Sequence, residues 1–146
     1  MDDENAHPPG EIGPAQLEPR PPGEDDLVRL CKSLNELGAR YVVIGGFAII
    51  LAGFPRTTGD IDLLVDTTPE NEALFYRALE VLPDHAVREL QPGELTKYSV
   101  VRVADEIVVD LMKSACGIEY LEASKDIVIR ELQGRRVSMS LRHLDR

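Results

Sequence analysis

Two aspartates, Asp60 and Asp62, stand two positions apart in the short apolar segment 60–65 (DIDLLV). If this segment is a strand, both side chains point to the same face, about 6.5–7 Å apart. Carboxylates held so close repel one another unless a positive charge lies between them. Mg²⁺ or Mn²⁺ is the usual solution, because these ions prefer oxygen ligands and often bind one or two carboxylates together with substrate phosphates. The alternative is an exposed strand face with two solvated acids.

A glycine pair, Gly45-Gly46, separates the β-branched run 40–44 (RYVVI) from a short helical pattern. Glycines between a strand and a helix let backbone amides approach a phosphate closely, and the start of a helix favours an anion. A tight turn without any ligand would also require glycine. The intervening segment 47–59 is too short for more than a small helix and a turn, so we expect the glycines and the acid pair to face one cleft.

A third acid, Asp110, is the one charged residue in the apolar segment 107–112 (IVVDLM). It is either a surface residue at a strand end or a member of a polar site, because a buried charge is costly unless it is paired or metal-bound. Three carboxylates beside a glycine turn meet the requirements of phosphoryl transfer. In that chemistry metal ions hold the attacking and leaving oxygens, and a carboxylate helps to deprotonate the nucleophile.

The remaining pattern predicts an α+β fold with helices packed on a mixed β-sheet. Apolar residues recur at helical spacing in segment 25–38. A second helix is expected to begin at Thr68-Pro69, a capping hydroxyl followed by proline, and to reach about residue 82. The later elements are predicted as strands at 86–90, 98–103 and 107–112 with a hairpin turn at 104–106, a helix at 118–124, and a ribbon of 127–130 and 135–140 that turns at Gln133-Gly134.

Taken together, these segments resemble the nucleotidyltransferase superfamily that is related in fold to DNA polymerase beta. The segments that carry the resemblance are 41–53 (YVVIGGFAIILAG), 55–65 (PRTTGDIDLLV) and 109–111 (VDL), in that order. The Arg-Thr-x-x-Asp-Ile-Asp-Leu form is most similar to the small prokaryotic branch that contains AbiEii-type toxins and minimal nucleotidyltransferases. The match spans about residues 25–140.

The resemblance implies a nucleotidyltransferase-like fold and a magnesium- or manganese-dependent enzyme. Such an enzyme moves a nucleoside monophosphate from an NTP to a hydroxyl acceptor, which could be an RNA end, a protein or a small molecule. A toxin role, with an antitoxin protein as partner, is suggested by the branch alone. The residues implied as metal ligands are Asp60, Asp62 and Asp110, with Asp110 also as the base, and those implied as nucleotide-binding are Gly45, Gly46 and Arg56. For Arg56 the alternative is a surface loop residue.

Composition limits the other function classes. Residues 1–24 are dense in Pro, Gly and acid without an apolar period, which predicts a disordered tail before one domain at 25–146. The net charge of −10 argues against a tight nonspecific nucleic-acid binder. The last 22 residues are net positive, with six bases and three acids, which leaves a weak or local nucleic-acid contact open. The chain has no secretory start and no apolar run near the roughly 18 residues that span a membrane. Cys31 and Cys116 lie in apolar contexts and are predicted to be buried thiols, which favours the cytoplasm.

Members of the similar branch commonly continue into a C-terminal helical segment that completes the cleft, whereas this chain ends at Arg146. We therefore expect a folded domain that binds nucleotide but transfers it slowly, since loose positioning can cost about a hundredfold in rate. Two alternatives stay open. One is a nucleotide-binding or regulatory module with the same fold and little or no turnover, and the other is an interaction domain with solvated acids.

Overall fold

The computed structural model describes residues 18–140. The helices in this part of the chain are α1 (Glu24–Leu37), α2 (Gly45–Leu51), α3 (Pro69–Ala78), α4 (Glu94–Lys97) and α5 (Tyr120–Ala123). The strands are β1 (Tyr41–Ile44), β2 (Ile61–Val65), β3 (Val100–Ala104), β4 (Val108–Met112), β5 (Ser114–Ala115), β6 (Ile118–Glu119), β7 (Ile127–Leu132) and β8 (Arg135–Ser140). No helix within residues 18–140 is both long enough and apolar enough to cross a bilayer.

Six of the strands form one mixed sheet in the order β3-β4-β2-β1-β8-β7. The pairs β2–β4 and β1–β8 are parallel. The pairs β1–β2, β3–β4 and β7–β8 are antiparallel, and β5 pairs with β6 in a separate small ribbon. The predicted α+β class with a mixed sheet is therefore confirmed, as are the hairpin between β3 and β4 and the final ribbon of β7 and β8.

The two faces of the sheet are packed differently. The larger core lies on the face that carries Val43, Leu63 and Leu111, where it packs against α1 and α3. The opposite face has a smaller apolar cluster in which Leu64 packs with Ile118 and other residues near α5. Because side chains alternate along a strand, the residues of β2 that flank those of the larger core point to this second face. The second face is therefore where a polar site can reach solvent.

A buried asparagine fixes how β1 meets β2. The Asn71 side chain accepts a hydrogen bond of 2.7 Å from the backbone N–H of Arg40 and donates to the carbonyls of Arg40 (3.0 Å) and Asp66 (2.7 Å). These bonds hold the first residues of β1 against the end of β2, in the register that pairs Tyr41 with Val65. The same register then places the far end of β1 beside the first residues of β2.

The segment before α1 contacts the domain from Arg20 onward. Both terminal nitrogens of Arg20 donate to the buried Asp26 carboxylate at 2.7 Å, and the backbone N–H of Gly23 donates to it at 2.7 Å. The backbone N–H of Arg20 donates to the carbonyl of Glu106 at 3.0 Å. Residues 1–17 of the predicted tail lie outside the described residues.

Two sequence predictions are wrong. Segment 86–90 is not a strand, because Ala86–Glu89 forms a 3₁₀ turn. The buried carboxylate of Asp105 accepts the backbone N–H groups of Asp84 and Ala86, both at 2.9 Å, and these bonds hold the loop in a compact shape beside the β3–β4 turn. Cys31 is buried as predicted, but Cys116 is exposed, because it lies in the tight turn between β5 and β6 with a φ of 53°.

Candidate functional site

The three aspartates converge at the centre of the sheet. In the parallel pair β2–β4, Asp62 lies directly opposite Asp110, and Asp60 immediately precedes β2. One carboxylate oxygen from each residue lies within 4.8 Å of the others. Among residues 18–140, this is the one group of three or more acidic, histidine or cysteine side chains close enough to share a metal ion.

The three carboxylates of the cluster carry more negative charge than the neighbouring cationic side chain neutralises. Asp110 is buried, with 4% of its surface exposed, whereas Asp60 and Asp62 are partly exposed. Burial, followed by the charges of Asp60 and Asp110, raises the pKa of Asp62 to about 7. The pKa of Asp60 is also raised, first by burial and then by the charge of Asp110. Each shift means that the ionised form is disfavoured where these groups meet, and a cation would relieve that penalty.

An arginine that the sequence reasoning missed also belongs to the site. Arg102 on β3 pairs in register with Asp110. Its Nε donates to Asp110 Oδ1 and its Nη2 to Asp110 Oδ2, both at 2.9 Å, and Nη2 lies 3.5 Å from Asp60 Oδ2. A signal was available, because a hairpin that turns near residues 104–106 places residues 102 and 110 on the same face of neighbouring strands.

The turn formed by Gly45 and Gly46 lies next to the acid pair Asp60 and Asp62. Gly45 opens α2 with a φ of 71°, directly after Ile44, which pairs with Asp62 across β1 and β2. A Cβ at Gly45 would overlap the Asp62 carboxylate, and a Cβ at Gly46 would lie only 2.5 Å from the Thr58 hydroxyl oxygen. The absence of side chains at both positions therefore lets the backbone of the turn lie beside the acids, as the short intervening segment predicts.

Arg56 lies apart from this cluster. It is exposed in the loop between α2 and β2, where its Nε donates to the carbonyl of the neighbouring Thr57 at 3.4 Å. Within residues 18–140, no hydrogen bond or ion pair joins it to the three acids. The structure therefore brings together the acids and the glycines, and leaves Arg56 on the surface of the loop.

A separate pocket of about 440 Å³ lies beyond the ends of β2 and β4. Two of its charged side chains already have protein partners, since Asp66 pairs with Arg40 at 2.6 Å and Lys113 donates to the carbonyl of Thr96 at 2.8 Å. None of the three clustered acids lines this pocket. Its lining residues are Val65, Asp66, Thr67, Thr68, Thr96, Lys113, Glu119, Tyr120 and Leu121.

Comparison with known proteins gives matches among solved structures. No protein-family model and no curated protein sequence matches the chain. Among solved structures, the crystal structure of a "putative nucleotidyltransferase" from Thermotoga maritima superposes with a TM-score of 0.50 and 17% sequence identity, over 79% of this chain and 75% of that one. The chain has a nucleotidyltransferase-like fold. At this identity the likeness establishes the fold alone, and the AbiEii-type branch stays a prediction.

The residues present fit a divalent metal on this nucleotidyltransferase-like fold. The donor set consists of three carboxylates, which are the oxygen ligands that Mg²⁺ and Mn²⁺ prefer. The acids lie close enough to share one ion, and two of them have raised pKa values that a bound cation would lower. The ion would be held by Asp60, Asp62 and Asp110. Arg102 already forms hydrogen bonds with Asp110, one of these three ligands.

Proposed function

We propose that the chain is a metal-dependent nucleotidyltransferase. It would transfer a nucleoside monophosphate from an NTP to a hydroxyl acceptor and release pyrophosphate. One observation carries the proposal: Asp60 and Asp62, at the start of β2, meet Asp110 of β4 within 4.8 Å on a nucleotidyltransferase-like fold. A solvated acidic surface would not require these three side chains to converge or one of them to be buried.

Each residue has a role in the proposed reaction. Bound Mg²⁺ or Mn²⁺ would supply charge neutralisation on the phosphates and stabilise the attacking and leaving oxygens. Asp60 and Asp62 would hold the metal and, through it, the triphosphate. Asp110 would accept the proton of the acceptor hydroxyl while the new oxygen–phosphorus bond forms and the bond to pyrophosphate breaks. Gly45 and Gly46 would present their backbone to the triphosphate.

The alternative is a nucleotide-binding or regulatory module that keeps the fold and turns over little or no NTP. One observation favours it. Arg102 forms two hydrogen bonds with the carboxylate of Asp110, and this carboxylate would have to be available as base. The two functions differ in turnover and not in binding, so they can be separated on one preparation.

The experiment is transfer of label from each of the four α-labelled NTPs, with Mg²⁺ or Mn²⁺, to total RNA, to protein or to small hydroxyl compounds. The proposal expects labelled product and equimolar pyrophosphate, both abolished by EDTA and by Asp62→Asn. The matched control is Glu89→Gln, which removes one charge from an exposed acid outside the site. Metal-dependent NTP binding without transfer would support the regulatory module, and the absence of both would support the interaction domain.

The finer predictions from sequence belong to this proposal as well. An RNA end, a protein or a small molecule as acceptor, an antitoxin protein as partner, and a cytoplasmic location are expectations that follow from the family resemblance and the composition. The panel of acceptors tests the first of these directly. Capture of a bound partner by the chain with an intact site, and by Asp62→Asn, would test the second.

A further inference from the structure

Arg102 lies where a metal ion would bind, and it is the cation nearest to the acid cluster in the described structure. We propose that Arg102 is a built-in counter-cation that competes with the divalent metal for Asp110, so that metal binding displaces the guanidinium. This inference rests on the metal site of the proposed function. It adds a positioning residue that sets how tightly that site binds its ion.

The geometry supports competition because the guanidinium uses the same atoms that a metal would. Arg102 donates to both carboxylate oxygens of Asp110 at 2.9 Å, in the two-pronged arrangement that makes arginine–carboxylate pairs strong and directional. The Asp110 side chain is 6% exposed, so few other directions of approach remain. An ion that binds Asp110 together with Asp60 and Asp62 would therefore compete with the guanidinium for the same oxygens.

The position of Arg102 also allows its guanidinium to move away from Asp110. Its side chain is 60% exposed, and β3 is the edge strand of the sheet, so the guanidinium can rotate into solvent without disturbing the core.

The charge balance favours the exchange. One guanidinium faces three carboxylates, because Nη2 of Arg102 also lies 3.5 Å from Asp60. A single positive charge leaves the cluster under-compensated, whereas a divalent ion supplies twice the charge at a smaller distance. Arg102 would therefore stabilise the cluster before metal binds, and it would weaken the apparent affinity for metal by the cost of its displacement.

The test measures Mn²⁺ binding to the full chain by electron paramagnetic resonance at pH 8, in the wild type and in Arg102→Gln, Arg102→Lys and Arg88→Gln. Arg88→Gln is the matched control, because it removes the same charge from an arginine outside the site. Arg88 is 64% exposed and pairs with Glu80 at 3.0 Å. We expect Arg102→Gln to bind Mn²⁺ about tenfold more tightly than the wild type, Arg102→Lys to fall between them, and Arg88→Gln to match the wild type. In EDTA, Arg102→Gln should melt below the wild type and gain more from added Mn²⁺.

Each outcome separates this inference from the proposed function. If the wild type binds Mn²⁺ and Arg102→Gln binds it equally or more weakly, the competition is refuted while the metal site stands. If neither protein binds Mn²⁺, the metal site itself is refuted, and with it the proposed function. Arg102→Lys keeps the test decisive should Arg102→Gln fail to fold, because lysine retains the charge but cannot reproduce the two parallel hydrogen bonds.

Discussion

Replacing Asp62 by asparagine should make the metal-free protein more stable, although Asp62 lies at the centre of the proposed site. The carboxylate of Asp62 is partly buried and faces Asp60 and Asp110, which raises its pKa to about 7 from the ordinary value of 3.8. Between these two pH values the folded protein keeps a proton on Asp62 that the unfolded chain has released. The free energy of unfolding therefore falls as the pH rises from about 4 to about 7, and the loss is complete above pH 7.

The magnitude follows from the same two values. A pKa raised from 3.8 to about 7 corresponds to about 4 kcal/mol, at about 1.36 kcal/mol for each pH unit. Solvent reaches part of the side chain and screens the repulsion, so we expect ~1–2 kcal/mol. For a domain of this size that gain corresponds to a rise in melting temperature of roughly 5 °C.

The assay is thermal unfolding in EDTA at pH 4 and pH 8, for the wild type, Asp62→Asn and Glu89→Gln. Asparagine has the shape of the protonated acid and no charge, so Asp62→Asn should melt higher than the wild type at pH 8 and close to it at pH 4. Glu89→Gln, in an exposed acid outside the site, should follow the wild type at both values. If Asp62→Asn melts lower at pH 8, Asp62 is a structural ion-pair partner and the repulsive cluster is refuted.

The remaining predictions concern the glycine turn at the site and the hydrogen bonds that join β1 to β2. Gly45→Ala and Gly38→Ala place an alanine at nearly the same φ, 71° and 74°. The backbone strain alone should lower the free energy of unfolding by about 1–2 kcal/mol in each, and Gly45→Ala should lose more because its Cβ also overlaps the Asp62 carboxylate. Only Gly45→Ala should also weaken Mn²⁺ binding, because its Cβ meets Asp62 and nothing lies within 4 Å of a Cβ at Gly38; equal Mn²⁺ affinity in both would contradict the contact. Asn71→Ala removes the side-chain partner of the Arg40 backbone N–H and one partner of the Arg40 carbonyl. It should lower the free energy of unfolding by about 1–3 kcal/mol in urea titrations, whereas an unchanged midpoint would show that these hydrogen bonds contribute little to stability.

The sequence predicted much of the fold because its signals there are local. Helix α3 begins at Pro69 after the Thr68 cap, as the residue types predict, and the Thr68 hydroxyl accepts the backbone N–H of Asn71 at 3.3 Å. The prediction of a strand at 86–90 was wrong because the signal there is not local. The apolar residues of this segment suit a strand, but hydrogen bonds to Asp105, about twenty residues away, decide its conformation. Contacts so distant in sequence leave no periodic signal.

In the candidate site, too, local features could be predicted from the sequence and contacts between distant residues could not. The alternation of side chains along one strand predicted that Asp60 and Asp62 share a face. Their meeting with Asp110 depends on which strands are neighbours and in what register. The residue types suggested that Asp110 could join the site, but only the structure gives this pairing. Arg102 was overlooked because an isolated arginine in an edge strand is ordinary on its own. Its meaning comes from the residue opposite, which the pairing of β3 with β4 supplies.

The most direct measurement of the central claim is calorimetric titration of the chain with each NTP, in Mg²⁺ and again in EDTA, beside the double variant Asp60→Asn/Asp62→Asn. If the acid cluster is a metal-nucleotide site, at least one NTP should bind saturably to the wild type in Mg²⁺, and that binding should disappear in EDTA and in the double variant, although the variant is at least as stable. Equal binding with and without metal, or undiminished binding by the variant, would contradict the claim.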